Sequence, residues 1–414
     1  MRIDQERLND QIDELGQFGY TEGKGITRPA LSDAHLKARE WLQKQMHQAG
    51  MEVRVDGAGN VIGRLPAAEE IEDPQTVVIG SHLDTVPQGG KFDGALGVLG
   101  GVECARILKK EDVFLPWNLE VVDFTDEEGY HYAGTFGSRA MLGKVTEQEL
   151  HQTKTEDVPT LAERFNELGW ELSGITEARR SPDEFRAYFE MHVEQSSRME
   201  TRGLDVAAVT GIVGIYRYTV EIQGEANHAG TTPMADRNDA LVAASDVFRL
   251  LPEWARARSQ EMVATVGQVS VEPGAQNIIP GICRFSVELR SLQSQEMIDV
   301  RNRLKDWLEE NCQFSLTDVL EKDGVYLDDE LIDLVLESAS ECGLESVALA
   351  SGAGHDAQSF APHVPTGMLF IPSADGFSHS PREYSKPEWV ANGANVLLKT
   401  VHNLAARDAD NLTD

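Results

Sequence analysis

The fold is decided by residues 76–94, which read TVVIGSHLDTVPQGGKFDG. The stretch opens with four β-branched residues, as expected of a strand that is buried on both faces. Polar and glycine-rich residues follow at once, so the chain leaves this strand through a loop. In parallel α/β sheets, ligands bind at the carboxyl ends of the strands. The stretch therefore predicts a functional loop at a strand end.

Strand and helix patterns alternate around this stretch. A helix capped by Ser32 is expected to end at Gly50. Further patterns predict strands at 53–55 and 60–62, a helix at about 94–109 and a second buried strand at 119–124. This βαβ rhythm predicts an α/β fold with a mostly parallel central sheet and helices on both sides.

The pattern changes near Gly211. An alternating strand at 216–223 is followed by a helix at about 238–251, strands at 262–271 and 283–290, and a helix at about 295–311. This order suits a small α+β domain. The α/β character returns from about Tyr326, with a strand at 366–371 and a helix from Lys386. We therefore predict a domain of residues 1–210 and 326–414, interrupted by an inserted domain of residues 211–325.

The bulk composition restricts the possible partners. The chain has 414 residues, which is too long for one hydrophobic core. A net charge of −32 repels nucleic acid phosphates and anionic membranes, so neither is an expected partner. We find no signal-peptide pattern and no apolar run long enough to span a membrane. The four cysteines are widely scattered, which favours free thiols in the cytoplasm.

Two loops after buried strands carry candidate metal ligands. His82 and Asp84 are two residues apart and point the same way in an extended segment. A carboxylate commonly holds the second nitrogen of a metal-bound imidazole. Asp93 follows in a glycine-rich turn. The alternative for His82 alone is an ordinary hydrogen-bonded histidine.

The second loop carries the acidic run Asp126, Glu127 and Glu128, directly after the strand at 119–124. Packed like charges raise one another's pKa unless cations lie nearby. Adjacent glutamates point to different sides, so one can bind a metal while the other acts as a base. A solvated charge run is the alternative interpretation.

Two more histidines also follow strand patterns. His192 comes after the strand-like residues 187–190, with Gln195 three positions later, and His379 lies beyond the strand at 366–371. Four such loops are expected to converge on one edge of the sheet. A mixed set of histidines and carboxylates suits Zn²⁺, Mn²⁺ or Co²⁺ and does not choose among them.

The inserted domain offers residues for substrate rather than metal. His228 lies in ANHAGTTPM, Asn277 lies in PGAQNIIPG, and Arg290 ends a strand. Such side chains can hold a carboxylate and polarise a carbonyl. Turn chemistry and a surface arginine are the alternative interpretation.

Together, these motifs resemble the dinuclear amidohydrolases grouped with aminoacylases and carboxypeptidases. The resemblance is strongest to the branch of N-carbamoyl-L-amino acid hydrolases, allantoate amidohydrolases and β-ureidopropionases. It spans nearly the whole chain and rests on GSHLDTVPQGGKFDG, TDEEG, GSRAMLG, HVEQ, ANHAGTTPM, NIIPG, SGAGHDA and FSHSP. His192 is typical of this branch, since peptidase relatives commonly have a carboxylate there. The chain departs from the branch after HVEQ, where SSRME replaces the usual Gly-Pro or similar pair.

The resemblance implies two divalent ions per subunit, which would be Zn, Mn or Co. His82 and His192 would bind one ion, Glu128 and His379 would bind the other, and Asp93 would bridge them. Asp84 would orient His82, Glu127 would be the general base, and His228 would stabilise the oxyanion. The substrate carboxylate would be held by Gln195, Asn277 and Arg290. His355 would lie in the pocket wall.

The resemblance also implies the reaction and the assembly. The expected substrate is an N-carbamoyl-L-amino acid, cleaved to the amino acid, ammonia and carbon dioxide. Allantoate and β-ureidopropionate are the close alternatives. An aminoacylase, a dipeptidase and a non-catalytic binding protein are more distant ones. The inserted domain would serve as a lid and would form a homodimer.

Overall fold

The computed structural model describes residues 1–411. The chain folds into two compact units. One contains Met1–Thr210 and the residues from Leu327 onward, and the other is Gly211–Tyr326. No helix within residues 1–411 is both long and apolar enough to cross a membrane.

The elements are numbered in chain order. The strands are β1 Tyr20–Thr21, β2 Gly25–Ile26, β3 Glu52–Val55, β4 Val61–Leu65, β5 Thr76–His82, β6 Asn118–Phe124, β7 Phe185–Val193, β8 Val206–Ile212, β9 Gly214–Gln223, β10 Val263–Thr265, β11 Val269–Glu272, β12 Ile282–Ser291, β13 Gln313–Lys322, β14 Val325–Tyr326, β15 Ser346–Ser351 and β16 Thr366–Ile371. The α-helices are α1 Gln5–Leu15, α2 Asp33–Gln48, α3 Ala95–Lys110, α4 Phe136–Met141, α5 Glu147–Leu150, α6 Leu161–Glu167, α7 Ser173–Glu177, α8 Arg198–Arg202, α9 Ala240–Arg258, α10 Ser294–Asn311, α11 Asp329–Glu341, α12 Ala357–Phe360 and α13 Pro387–Asn411.

The large sheet of the first unit has the strand order β8-β16-β7-β5-β6-β4-β3, with β15 also paired to β8. Strands β16, β7, β5 and β6 pair in parallel. At the sides, β8 pairs antiparallel with β16, β4 with β6, and β3 with β4. All residues of β5, β6 and β16 are buried, and in β6 these include Glu120 and Asp123. The predicted α/β fold is confirmed, with parallel pairing at the centre of the sheet.

The strand register brings the functional loops to one edge. His82 at the end of β5 lies opposite Phe124 at the end of β6. His192 near the end of β7 lies opposite Phe370 near the end of β16. Because these strands are parallel, the four loops that follow them leave from the same side of the sheet.

The second unit contains a five-stranded antiparallel sheet ordered β10-β12-β9-β13, with β11 also paired to β12. Buried and more exposed residues alternate along β9 and β12. Helices α9 and α10 contribute Val247, Leu251, Leu304 and Leu308 to the core against the buried side of this sheet.

Two features of this sheet differ from the sequence prediction. The single strand expected at 262–271 is wrong, because the chain forms β10 and β11 instead. Thr265 pairs with Glu288 and Val269 with Phe285, so this segment holds one residue more than the facing part of β12. Such an extra residue interrupts the ladder, as in a β-bulge. The edge strand β13 was not predicted.

Candidate active site

The four converging loops bring the predicted ligands together. His82, Asp93 and His192 have ligand atoms within 4.8 Å of one another, and so do Asp93, Glu128 and His379. Asp93 is the member that the two groups share. The geometry therefore offers two adjacent places for a metal ion, with one carboxylate between them.

The Asp93 carboxylate faces both groups at once. Its Oδ1 lies 3.6 Å from Nε2 of His82 and 3.1 Å from Nε2 of His192. Its Oδ2 lies 3.4 Å from Nε2 of His379, which is also 3.4 Å from Oε2 of Glu128. One oxygen directed to each group is the arrangement that a bridging carboxylate requires.

Backbone carbonyls orient the two buried histidines. Nδ1 of His82 lies 2.9 Å from the carbonyl oxygen of Asp84, and Nδ1 of His192 lies 2.9 Å from that of Val193. A carbonyl oxygen only accepts, so Nδ1 carries the proton in each neutral ring and Nε2 is left as the lone-pair nitrogen. This tautomer directs a metal-binding nitrogen toward Asp93.

Asp84 acts on the acidic loop as well as on His82. Its carboxylate Oδ1 is 3.7 Å from Nδ1 of His82, so the closer contact to that ring comes from the Asp84 carbonyl. The carboxylate oxygens accept the backbone N–H groups of Glu127 at 3.2 Å and Glu128 at 3.1 Å. Asp84 thus ties the loop after β5 to the loop after β6.

Gly94 separates Asp93 from α3. Its φ is +63°, and a Cβ on it would lie 2.4 Å from Nε2 of His82. A side chain at this position would displace the imidazole, so the close approach of backbone to ring requires glycine.

The acidic groups of the site are buried beside one another. Burial raises the pKa of Glu127, and the Asp356 and Glu128 carboxylates raise it further. Burial likewise raises the pKa of Glu128, with Asp93 adding to the effect. Burial lowers the pKa of His192, but the Asp93 carboxylate outweighs it and raises the value to about 9.

These residues fit divalent metal ions. Oε1 of Glu128 is buried and has no hydrogen-bond partner within residues 1–411. Buried carboxylates without partners are costly, and cations are the groups that offset such a cost. The histidine nitrogens and carboxylate oxygens match the donors that Zn²⁺, Mn²⁺ and Co²⁺ accept.

Gln195 contacts the Asp93 carboxylate in this structure. Its Nε2 donates to Oδ2 of Asp93 at 2.9 Å, and its backbone N–H donates to Oγ of Ser373 at 3.1 Å. Oε1 of Gln195 is buried with no hydrogen-bond partner in the described part of the chain. Gln195 therefore lies at the centre, and its role toward a substrate carboxylate stays a prediction.

The sequence analysis missed Glu190, which lies beside two predicted residues of this region. Glu190, His192 and His355 form a further close group, and the His355 and His192 ring centroids are 4.6 Å apart. Oε2 of Glu190 accepts hydrogen bonds from the Tyr188 hydroxyl and the Ala357 N–H. A glutamate between the apolar residues Phe189 and Met191 of the buried strand β7 was the available signal for Glu190.

The predicted substrate-binding residues of the second unit lie in two neighbouring turns and on β12. The backbone N–H of Ala229 donates to the carbonyl of Asn277 at 2.9 Å, so the turns of His228 and Asn277 are paired. Gly230 N–H donates to Nδ1 of His228 at 3.0 Å, which leaves the proton of the neutral ring on Nε2. Arg290 donates from Nε to Oε1 of Glu288 at 2.8 Å.

Comparison with known proteins decides the family. Residues 78–403 match the model described as peptidase family M20/M25/M40. The chain belongs to this family. The resemblance stated from the motifs is confirmed, and this M20 protein is an amidohydrolase enzyme.

Its relatives span the full chain. The protein is 38% identical to the N-carbamoyl-L-amino acid amidohydrolase of Geobacillus stearothermophilus, over 97% of this chain and 99% of that one. It is 33% identical to the allantoate amidohydrolase of Bacillus subtilis, over 96% and 97%. A crystal structure of a hydantoinase/carbamoylase family amidase from Burkholderia multivorans superposes with a TM-score of 0.89 at 33% identity, covering 98% of each chain.

Proposed function

We propose that this M20 amidohydrolase uses two divalent metal ions to cleave the carbamoyl C–N bond of N-carbamoyl-L-amino acids. The products would be the amino acid, ammonia and carbon dioxide. The observation that carries the proposal is the placement of Asp93 between the two groups of candidate ligands. The substrate class is suggested by the Geobacillus relative.

The chain's own residues suit the two proposed ion sites. His82 and His192 would hold one ion, Glu128 and His379 would hold the other, and Asp93 would contact both. Divalent ions in such a pair polarise a carbonyl and acidify a water molecule. The remaining work of the reaction falls to side chains around them.

Glu127 is the proposed general base. Its side chain is only 10% exposed, and its Oε2 lies 3.4 Å from Nε2 of His82, at the border of the first ligand group. Burial and neighbouring carboxylates raise its pKa. A carboxylate with a raised pKa is a stronger base, so Glu127 can take a proton from water and pass it to the departing nitrogen.

His228 is the proposed donor to the oxyanion. Because Gly230 N–H donates to its Nδ1, the neutral ring presents an Nε2–H donor. Such a donor stabilises the negative charge that develops on the attacked carbonyl oxygen.

The substrate carboxylate would be held by Gln195, Asn277 and Arg290, with His355 in the pocket wall. Arg290 forms an ion pair with Glu288 in this structure, so it would bind the substrate in addition to, or in exchange for, that carboxylate. We further propose that the second unit acts as a lid, that it forms a homodimer, and that the enzyme works in the cytoplasm. Its four free cysteines are compatible with a reducing compartment.

Allantoate is the second candidate substrate, because the Bacillus subtilis relative is named an allantoate amidohydrolase. Both substrates carry a ureido group near a carboxylate, so the same residues could hold either one. β-Ureidopropionate belongs to the same chemical class.

Ammonia release from a substrate panel would test the proposal. The panel contains N-carbamoyl-L-amino acids, allantoate, β-ureidopropionate and N-acetyl-L-amino acids, each measured with Mn²⁺, Co²⁺ and Zn²⁺ in turn. We expect the highest kcat/KM with an N-carbamoyl-L-amino acid. A higher value with allantoate would favour the second candidate. Deacetylation without ureide turnover, or no turnover by fully metal-loaded protein, would contradict the proposed function.

A further inference from the structure

Glu383 is a buried carboxylate in the same loop as His379, four residues further along the chain. Its Oε1 accepts the backbone N–H groups of Phe92 at 2.9 Å and Asp93 at 3.0 Å. The side chain therefore connects the loop after β16 to the bridging residue in the loop after β5. A hydrogen bond to a charged acceptor is stronger than one between neutral groups.

Ser378 completes this connection on the side-chain end of Asp93. Its Oγ lies 2.8 Å from Oδ2 of Asp93 and 3.3 Å from Oε2 of Glu383. Asp93 is thus held twice from the loop after β16, at its backbone by Glu383 and at its carboxylate by Ser378.

Gly90 shows how closely the two loops fit. A Cβ at this position would lie 2.3 Å from Oε1 and 2.4 Å from Cβ of Glu383. The loop after β5 therefore passes Glu383 at a distance that only glycine permits. Glu383 is not a member of either group of candidate ligands around Asp93. We therefore do not assign it as a metal ligand.

We propose that Glu383 is a positioning residue that fixes Asp93 with one oxygen toward each ion site, and that it thereby sets the affinity for both ions. This inference rests on the proposed role of Asp93 as a metal ligand. If Glu383 is shortened, the two N–H groups lose their acceptor and the Asp93 carboxylate is free to rotate away from one or both sites. Groups that orient metal ligands typically change metal affinity by about 10–100-fold when they are mutated.

The test is a titration of metal-free protein with Mn²⁺. Binding is measured by calorimetry and by the electron paramagnetic resonance signal of free Mn²⁺. We expect Glu383→Ala to weaken Mn²⁺ binding by about 10–100-fold. Glu383→Gln keeps an oxygen that accepts both N–H groups, so it should bind within about threefold of wild type. In Gly90→Ala, the new methyl group would push the Glu383 side chain away from the loop after β5. This variant should therefore also bind Mn²⁺ more weakly. Glu388→Ala, an exposed glutamate of α13, is the matched control and should bind as wild type does.

The outcomes separate this inference from the proposed function. Wild-type protein that binds no Mn²⁺ would contradict the two-metal proposal itself. Wild-type protein that binds Mn²⁺ while a folded Glu383→Ala binds it equally well would overturn the positioning role. Thermal unfolding of each metal-free variant establishes which ones are folded. Should Glu383→Ala fail to fold, Gly90→Ala decides, since unchanged Mn²⁺ affinity in that variant would likewise overturn the proposal.

Discussion

The two units present their proposed functional residues in opposite ways. In the first unit, His82 and His192 are 1% exposed and Asp93 is 6% exposed, and each is held by strand ends or by backbone hydrogen bonds. In the second unit, His228 and Asn277 lie exposed in turns. The first unit therefore has these three groups in place before any ligand arrives, although the side chain of its proposed ligand His379 is 50% exposed. The second unit offers groups that are still in contact with water.

The difference has a physical reason. Burying several carboxylates side by side is costly, and rigid surroundings prevent them from separating. A divalent ion removes that cost, so burial and a fixed geometry favour tight metal binding. Side chains that donate hydrogen bonds to a substrate need to lose their bound water only when the substrate binds. Side chains in exposed turns can stay hydrated until then.

The largest effect is expected from the residue between the two ligand groups. Asp93→Ala removes the carboxylate that faces both groups, so we predict the loss of both ions and of all measurable turnover. His379→Ala removes a contact to one group only and should lose mainly one ion. Metal analysis by mass spectrometry after dialysis measures both outcomes. Two ions retained by Asp93→Ala would refute the bridging role.

A smaller but still large effect is expected for the proposed base. Glu127→Gln keeps the shape of the side chain and removes the proton acceptor. We predict that kcat falls by roughly 10²–10⁴-fold while the metal content is unchanged. Steady-state kinetics on metal-analysed protein would show this, with Glu22→Gln on the exposed surface as the control. A fully metallated Glu127→Gln enzyme with near-normal kcat would exclude Glu127 from the proton transfers.

The smallest change in activity is expected when two inactive variants are mixed. This experiment is also the sharpest test of the contrast between the two units. We propose that His228 serves the active site of the partner subunit in the homodimer. In a mixed dimer of Glu127→Gln and His228→Ala, one site would then have both residues intact and the other would have neither. An equal, fully exchanged mixture should regain about a quarter of wild-type activity, because about half the dimers are mixed and each has one good site of two.

The control for this experiment is each variant alone, which should stay inactive at the same concentration. Subunit exchange is verified with two differently tagged chains. If exchange is complete and the mixture remains inactive, His228 acts within its own subunit, and the shared-site proposal is wrong while the two-metal proposal is unaffected.

Most residues of the candidate site could be proposed from the sequence because their signals are local. A continuous β-branched run at 76–79, followed after two intervening residues by His82 and then by Asp84, marks a buried strand and the loop at its end, and β5 has this form. The helix after Ser32 is equally local, since the Ser32 side chain caps α2 by accepting the N–H of His35. In such segments, pattern and packing agree.

Other features depend on residues that are distant in sequence. The break between β10 and β11 arises from pairing with β12, and its local signal is Gly267, since an isolated glycine within a strand pattern favours a bulge. Strand β13 alternates polar and apolar residues only over 313–317, and from Asp318 onward all its residues are exposed, whereas the alternation of β9 runs along the whole strand. Its pairing with β9 defines it as a strand.

The sequence by itself determined the α/β class, the family and the residue types of the proposed metal centre, because short motifs at strand ends carry that information. Only the tertiary structure decided which atoms meet. It assigned the closest contact with His82 to the carbonyl of Asp84 and directed the Asp84 carboxylate to the N–H groups of Glu127 and Glu128. It also placed Glu383 on the backbone of Asp93. Hydrogen bonds between loops far apart in the chain are set by strand register and packing, which no local pattern encodes.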